Sequence, residues 1–214
     1  ISNILQMSYR LVKTIKQTFK KLEEKYGPDE KMYIKVDIHE TIMRPTHTTE
    51  MSTEYYPFAV ETLQLMSNHP RVCLILWTST LYDTALKYME LFKAKGIHFA
   101  HLNCNPEIAS PEYADFSMKF FMNLIIDDKA GFQAEVDWEP LHDYFELLKF
   151  QDEVKKLQAE TNAKIAGALM SGFQYGHGKK YPEPFIERML AGEYTKLCQL
   201  WGVIPIEKSE VING

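Results

Sequence analysis

Met32-Tyr33-Ile34-Lys35-Val36-Asp37-Ile38-His39-Glu40-Thr41 decides the reading of this chain, because a strand-like apolar run ends there in a carboxylate. A second such run, Leu124-Ile125-Ile126, ends in Asp127-Asp128. Between them, Arg71-Val72-Cys73-Leu74-Ile75-Leu76-Trp77 is a third, and it ends in Thr78-Ser79-Thr80. In an open parallel sheet the carboxyl ends of the strands line one crevice, so polar groups at neighbouring strand ends converge on one ligand. Asp37, Asp127 and Asp128 are therefore the candidate active centre. A carboxylate can attack phosphorus to give an aspartyl phosphate. Paired carboxylates offer Mg²⁺ the hard oxygen ligands it takes, and the cation offsets repulsion between two anions and stabilises charge in the transition state.

Outward from these runs, apolar stretches alternate with amphipathic ones. The pattern predicts strand 31–37, helix 57–68, strand 71–77, helix 81–95, strand 97–103, a proline-containing loop and strand 122–127. That alternation is the signature of an α/β parallel sheet. Before it, Leu5, Tyr9, Val12, Ile15, Phe19, Leu22 and Tyr26 recur at helical spacing, with Lys13, Lys16, Lys20 and Lys21 on much of the other face. This is an amphipathic helix over residues 1–28 that packs on the domain; a membrane-surface or partner role for its basic side is the alternative. Gly27-Pro28-Asp29 stops it. The α/β core is expected over 29–142 and a helical extension over 143–214. In that extension Tyr144, Leu147, Phe150, Val154 and Leu157 fall on one helical face. A last helix is expected over 184–201. Gly172-Phe173-Gln174-Tyr175-Gly176-His177-Gly178-Lys179-Lys180 lacks the GxxxxGK[ST] spacing of a nucleotide loop and reads as a flexible linker.

Taken together, the motifs resemble those of the haloacid dehalogenase (HAD) superfamily of phosphohydrolases, in particular its small, minimally capped phosphatases. The first family motif is an Asp, any residue, usually a second Asp, a variable residue and a Thr; Asp37-Ile38-His39-Glu40-Thr41 fits it except at His39. The second, a Thr or Ser ending a hydrophobic strand, is matched by Thr78 in Trp77-Thr78-Ser79. The third, a Lys shortly before the fourth, is matched by Lys119, and the fourth, an acidic pair, by Asp127-Asp128. The likeness covers residues 31–142. It implies a Rossmann-like parallel sheet with flanking helices, and a Mg²⁺-dependent phosphatase acting through Asp37 on a phosphorylated metabolite or nucleotide. It further implies phosphate binding by Thr78, Ser79 and Lys119, with Mg²⁺ held by Asp37, Asp127, Asp128 and the backbone carbonyl of His39.

Each motif also has a plainer reading. An Asp at a strand end is most often a turn former or helix cap. One of Thr78, Ser79 and Thr80 can cap the following helix, and a free helix N-terminus is itself an anion site. Lys119 read alone is a surface lysine. Glu40 stands where many relatives have Gly. The departure that matters is His39, because the family's second Asp protonates the leaving group and then activates water. Imidazole performs general acid–base work near neutral pH, so a working His39 and a lost catalytic step are both open. In the second case the chain is a silent binding or structural module. The Ile42–Tyr56 segment, with Arg44, Pro45 and His47, is too short for a cap domain and leaves an open site.

Composition sets the remaining bounds. The chain has 214 residues, is 45% hydrophobic and carries a net charge of −5, enough for a substantial core and unsuited to general nucleic-acid binding. Cys73, Cys104 and Cys198 are isolated and odd in number, which makes a reducing cytoplasm the simplest setting. No apolar run reaches membrane-spanning length. A small phosphorylated substrate is the expected ligand, and the terminal helices offer surface for a protein partner or self-association. His98 and His101, on opposite faces of the expected strand 97–103, read as ordinary histidines.

Overall fold

The computed structural model describes residues 2–46, 48, 50–117 and 119–177, with side chains described within 10–164. Helix α1 (Ser2–Tyr26) is followed by strand β1 (Met32–Val36), helix α2 (Ala59–Asn68), strand β2 (Val72–Leu76) and helix α3 (Tyr82–Ala94). Strands β3 (His101–Leu102) and β4 (Leu124–Ile126) and helix α4 (Ala134–His177) complete the order. The four strands pair in parallel in the order β3-β2-β1-β4. The architecture is an α/β fold of Rossmann-like type, a parallel sheet flanked by helices.

The strand period of two sorts the sheet residues into two groups. Met32, Ile34 and Val36 lie level with Val72, Leu74 and Leu76, and Ile34 and Val36 with Leu124 and Ile126. These share one apolar cluster with Ile15 and Phe19 of α1, Leu63 and Met66 of α2, Tyr88 and Phe92 of α3, and Trp138 and Phe145 of α4. The opposite face is different. There Tyr33, Cys73 and Ile75 pack with Phe120, Phe121, Met122 and Ile108, so the segment before β4 covers this side. β2 is buried at every position, as a strand covered on both faces must be.

Several expectations are corrected in detail. The strand expected over 97–103 shrinks to His101–Leu102: the Ala100 N–H already donates to the Leu74 carbonyl at 2.8 Å, but His98 and Phe99 run in before the ladder. Tyr26, at the end of the helical stripe of α1, is exposed, with the Lys25 ammonium 4.8 Å from its ring centroid. The apolar stripe beyond residue 142 is buried only at its start: Tyr144 is buried, but Leu147, Phe150 and Leu157 are exposed. Residues 172–177 continue α4 and are not a linker. The expected helix 184–201 lies outside the described residues.

The chain divides into two compact units, Ile1–Phe150 and Gln151–Gly214. Helix α1 and the sheet fall in the same unit, and α4 runs without interruption across residue 142. At its start the buried Asp137 carboxylate accepts from the Gln133 N–H at 2.7 Å, answering one of the donors a helix start leaves open. Pro140 then removes one internal N–H without ending the helix. Among the described residues, no helix is long and apolar enough to cross a membrane.

Candidate active site

The site is built at the carboxyl ends of three adjacent strands. Val36 is level with Ile126, and the Asp37 N–H donates to the Ile126 carbonyl at 3.0 Å, so Asp37 and Asp127 each leave the sheet one residue beyond paired neighbours. On the other side the Trp77 N–H donates to the Val36 carbonyl at 2.9 Å, which brings Thr78 to the next strand end. Burial pushes the Asp37 carboxyl up to about 6; the Ile38 N–H works against that shift, and the charges of Asp127 and Asp128 add to it. The two acidic signals of the sequence thus lie at neighbouring strand ends, and the charges of Asp127 and Asp128 reach Asp37.

The loop that carries the acidic pair is held by named contacts. Asp127 Oδ1 accepts from the Lys129 N–H at 2.8 Å, which starts a 3₁₀ turn over Asp128–Ala130. Gly131 closes it at φ 93°, where an added side chain meets no atom within 4 Å but a strained backbone. The Asp128 N–H donates to the Thr41 hydroxyl at 3.1 Å, and the Thr41 carbonyl accepts from Trp138 Nε1 at 2.8 Å. Thr41 is fully buried, so the last residue of the first motif pins the fourth motif and α4. Replacing Thr41 by Val keeps the shape and removes the acceptor for the Asp128 N–H. Leaving such a donor unanswered costs about 1–3 kcal/mol; Thr41→Val is expected to lower stability in urea unfolding by that amount. An unchanged unfolding midpoint would remove the pinning role.

Thr78 is buried and locally engaged. Its hydroxyl donates to Thr80 Oγ1 at 2.9 Å and accepts from the Thr80 N–H at 3.1 Å. Asn103, at φ 53°, clasps its backbone, Oδ1 accepting from the Thr78 N–H and Nδ2 donating to the Thr78 carbonyl, both at 2.8 Å. Ser79 is exposed in the turn between them. Lys119 is exposed and makes no ion pair among the described residues. Lys129 pairs with Asp128 and draws the Asp37 pKa downward. Lys129 was readable from its place directly after Asp127-Asp128.

His39 is turned toward α3. Its Nε2 lies 3.2 Å from the Tyr88 hydroxyl, with the rings edge to face at 5.6 Å. That hydroxyl also accepts from the Ser52 N–H at 2.7 Å. Burial lowers the His39 pKa, with a smaller opposing pull from Glu40. The His39 carbonyl accepts no hydrogen bond among the described residues. Glu40 has φ 58°, which explains why Gly suits this position, and its carboxylate accepts from the Tyr56 hydroxyl at 2.8 Å. Tyr88 had no signal of its own, because its spacing on α3 reads as core.

The segment after the first motif is held by backbone pairing. Met43 bridges both His39 and Tyr55, and the Arg44 N–H donates to the Glu54 carbonyl at 2.9 Å. Arg44 also pairs with Glu54 and Glu135 and lies over the Tyr56 ring. His47 falls outside the described residues.

No protein-family model and no curated protein matches this chain. Among solved structures it is similar to a conserved protein coded by a locus of Bacteroides thetaiotaomicron, at 31% sequence identity over 57% of this chain and 93% of that one, with a TM-score of 0.43.

Proposed function

We propose that this chain is a Mg²⁺-dependent phosphohydrolase in which Asp37 becomes an aspartyl phosphate. The observation that supports the reading is the position of Asp37 and Asp127 one residue beyond the paired Val36 and Ile126 at adjacent strand ends, with Asp128 next in the chain. Carboxylates at neighbouring strand ends offer the oxygen donors that a hard cation takes. Asp37, Asp128 and the His39 carbonyl would hold Mg²⁺, with Asp127 contributing the oxygen not committed to the Lys129 N–H. When bound, the cation screens the anionic substrate and stabilises charge on the transferring group.

The protein's own groups do the rest. Asp37 attacks phosphorus as the bond to the leaving oxygen breaks, and that oxygen takes a proton from His39 or from water. Water then attacks the aspartyl phosphate, His39 accepts its proton, and inorganic phosphate leaves with Asp37 restored. The Lys129 ammonium and the turn at Thr78–Thr80 offer charge and polar groups to the phosphoryl oxygens.

The test is hydrolysis of a panel of phosphate esters with Mg²⁺ and with EDTA, together with calorimetric Mg²⁺ titration of Asp→Asn variants. Asp128→Asn is expected to weaken Mg²⁺ binding at least ~10-fold, the scale on which even outer contacts of a metal matter. Asp127→Asn should weaken it less, since Asn keeps an oxygen for the Lys129 N–H. Unchanged affinity in both variants counts decisively against the metal assignment. A second reading, a phosphoryl-binding module without turnover, is favoured by the engagement of His39 with Tyr88 and by the lowered pKa of its ring.

A further inference from the structure

We infer that Cys73, His101 and Glu107 form a binding site for a borderline-soft divalent cation, Zn²⁺ being the best match, on the sheet face away from the main apolar cluster. Parallel pairing sets Tyr33 level with Cys73 and Ile75 level with His101, so these side chains stand on one face. Glu107 reaches the same place from the loop after β3. The buried Asn105 sets that loop, its Oδ1 accepting from the Glu107 N–H at 3.2 Å and its Nδ2 donating to the Phe121 carbonyl at 2.8 Å.

Three ligand atoms of three kinds result. His101 Nε2 lies 2.9 Å and Cys73 Sγ 3.6 Å from Glu107 Oε1, and all three atoms fall within 4.8 Å of one another. Zinc bonds of ~2.0–2.3 Å in a tetrahedron separate ligand atoms by about 3.3–3.8 Å. Small side-chain shifts therefore convert the cluster into three corners of a zinc site. The second carboxylate oxygen is already oriented: Glu107 Oε2 accepts from Lys31 Nζ at 3.0 Å and from the Tyr33 hydroxyl at 3.1 Å. Outer contacts of this kind fix a ligating carboxylate and direct its other oxygen inward.

The donor set selects the metal. Thiolate with imidazole favours Zn²⁺ over Mg²⁺ or Ca²⁺, which prefer oxygen alone. A thiol gives up its proton when it binds the metal, so binding should release protons. The His101 and Glu107 side chains remain 19% and 30% exposed, which leaves a fourth position open to water. None of these residues belongs to the acidic centre, so the proposal stands or falls apart from the phosphatase reading.

Titration of the EDTA-treated full chain with Co²⁺ tests it. The wild type should develop a thiolate-to-cobalt charge-transfer band that Zn²⁺ then displaces. Cys73→Ser should lack the band, and Glu107→Gln and His101→Ala should weaken binding at least ~10-fold. Zn²⁺ should also raise the melting temperature of the wild type but not of Glu107→Gln, which keeps the buried thiol and so decides the matter even if Cys73→Ser fails to fold. The absence of a charge-transfer band overturns the proposal, as does a band that persists in Cys73→Ser through Cys104 or Cys198. Unchanged affinity in both Glu107→Gln and His101→Ala overturns it equally.

Discussion

Asp37→Asn is expected to remove all turnover and all beryllofluoride adduct while making the metal-free protein more stable at neutral pH. The two effects share one cause, a carboxylate held at a place that favours its neutral form. The Asp37 pKa rises from 3.8 to about 6, chiefly through burial. One unit corresponds to about 1.36 kcal/mol, so the ionised group costs the native state on the order of 2–3 kcal/mol. The sign is set by the folded value lying above the unfolded one. Below pH 3.8 the group is protonated in both states and contributes no penalty; the penalty grows through the interval up to about 6 and is complete above it. Urea unfolding in EDTA should therefore show Asp37→Asn more stable than the wild type at pH 8 and equal to it at pH 3.5, with Mg²⁺ narrowing the difference by stabilising the wild type alone. Full activity in the variant would falsify the nucleophile assignment; equal stability at both pH values would show that the carboxylate is not held against its charge.

The gain in metal-free stability also separates a functional carboxylate from a turn former. An Asp that merely caps a turn accepts the same hydrogen bond as Asn would, so its conversion to Asn brings no comparable gain in stability. Asp127 is closer to that type, since its Oδ1 caps the 3₁₀ turn. The two strand-end acids read alike in the sequence and differ in the fold.

Much of this arrangement was legible because strand residues advertise their period. Ile34, Val36, Leu74 and Leu76 are apolar where the main cluster needs them, and the acids follow immediately. The parallel order then brings the strand ends together without further information. Long-range details had no such signal. The contraction of β3 to two residues depends on where its backbone meets Ile75 and Leu76, which no local pattern encodes. Lys119 is readable from a motif order, whereas the pairing of Lys129 with Asp128 follows from one turn of backbone. In the extension the helical period holds as far as His177, but burial requires a partner surface, and Phe150 and Leu157 carry the period while remaining exposed. His101 had looked ordinary on a strand, and only the returning loop supplies Glu107.

The largest effect beyond the nucleophile is expected at His39, where His39→Asp should raise turnover on alkyl phosphates at neutral pH. A general acid must hold its proton in the working state, and general acid–base catalysis contributes about 10²–10⁴-fold. Burial lowers the pKa of His39 below 6.5, so at pH 7 the ring is mostly neutral and donates poorly. Its acid form is present at low pH and lost as pH rises through that lowered value. The wild type should therefore hydrolyse alkyl phosphates fastest in mildly acidic solution, within the range where Asp37 is ionised, and kcat should fall toward neutrality along a titration absent from His39→Ala. With p-nitrophenyl phosphate, whose leaving group needs little protonation, the slope and the Ala effect should both shrink. Tyr88 adds a second arm to the argument. Its hydroxyl accepts from the Ser52 N–H and faces His39 Nε2, so it holds the ring on the side of α3. Tyr88→Phe should free the imidazole and change the pH profile on alkyl phosphates, while leaving p-nitrophenyl phosphate hydrolysis near its original rate. An effect of His39→Ala that is the same for every leaving group would assign the residue to positioning. An inactive wild type beside an active His39→Asp would place the chain among modules that bind a phosphoryl group without cleaving it, with the Tyr88 contact as the physical reason the proton never reaches the leaving oxygen.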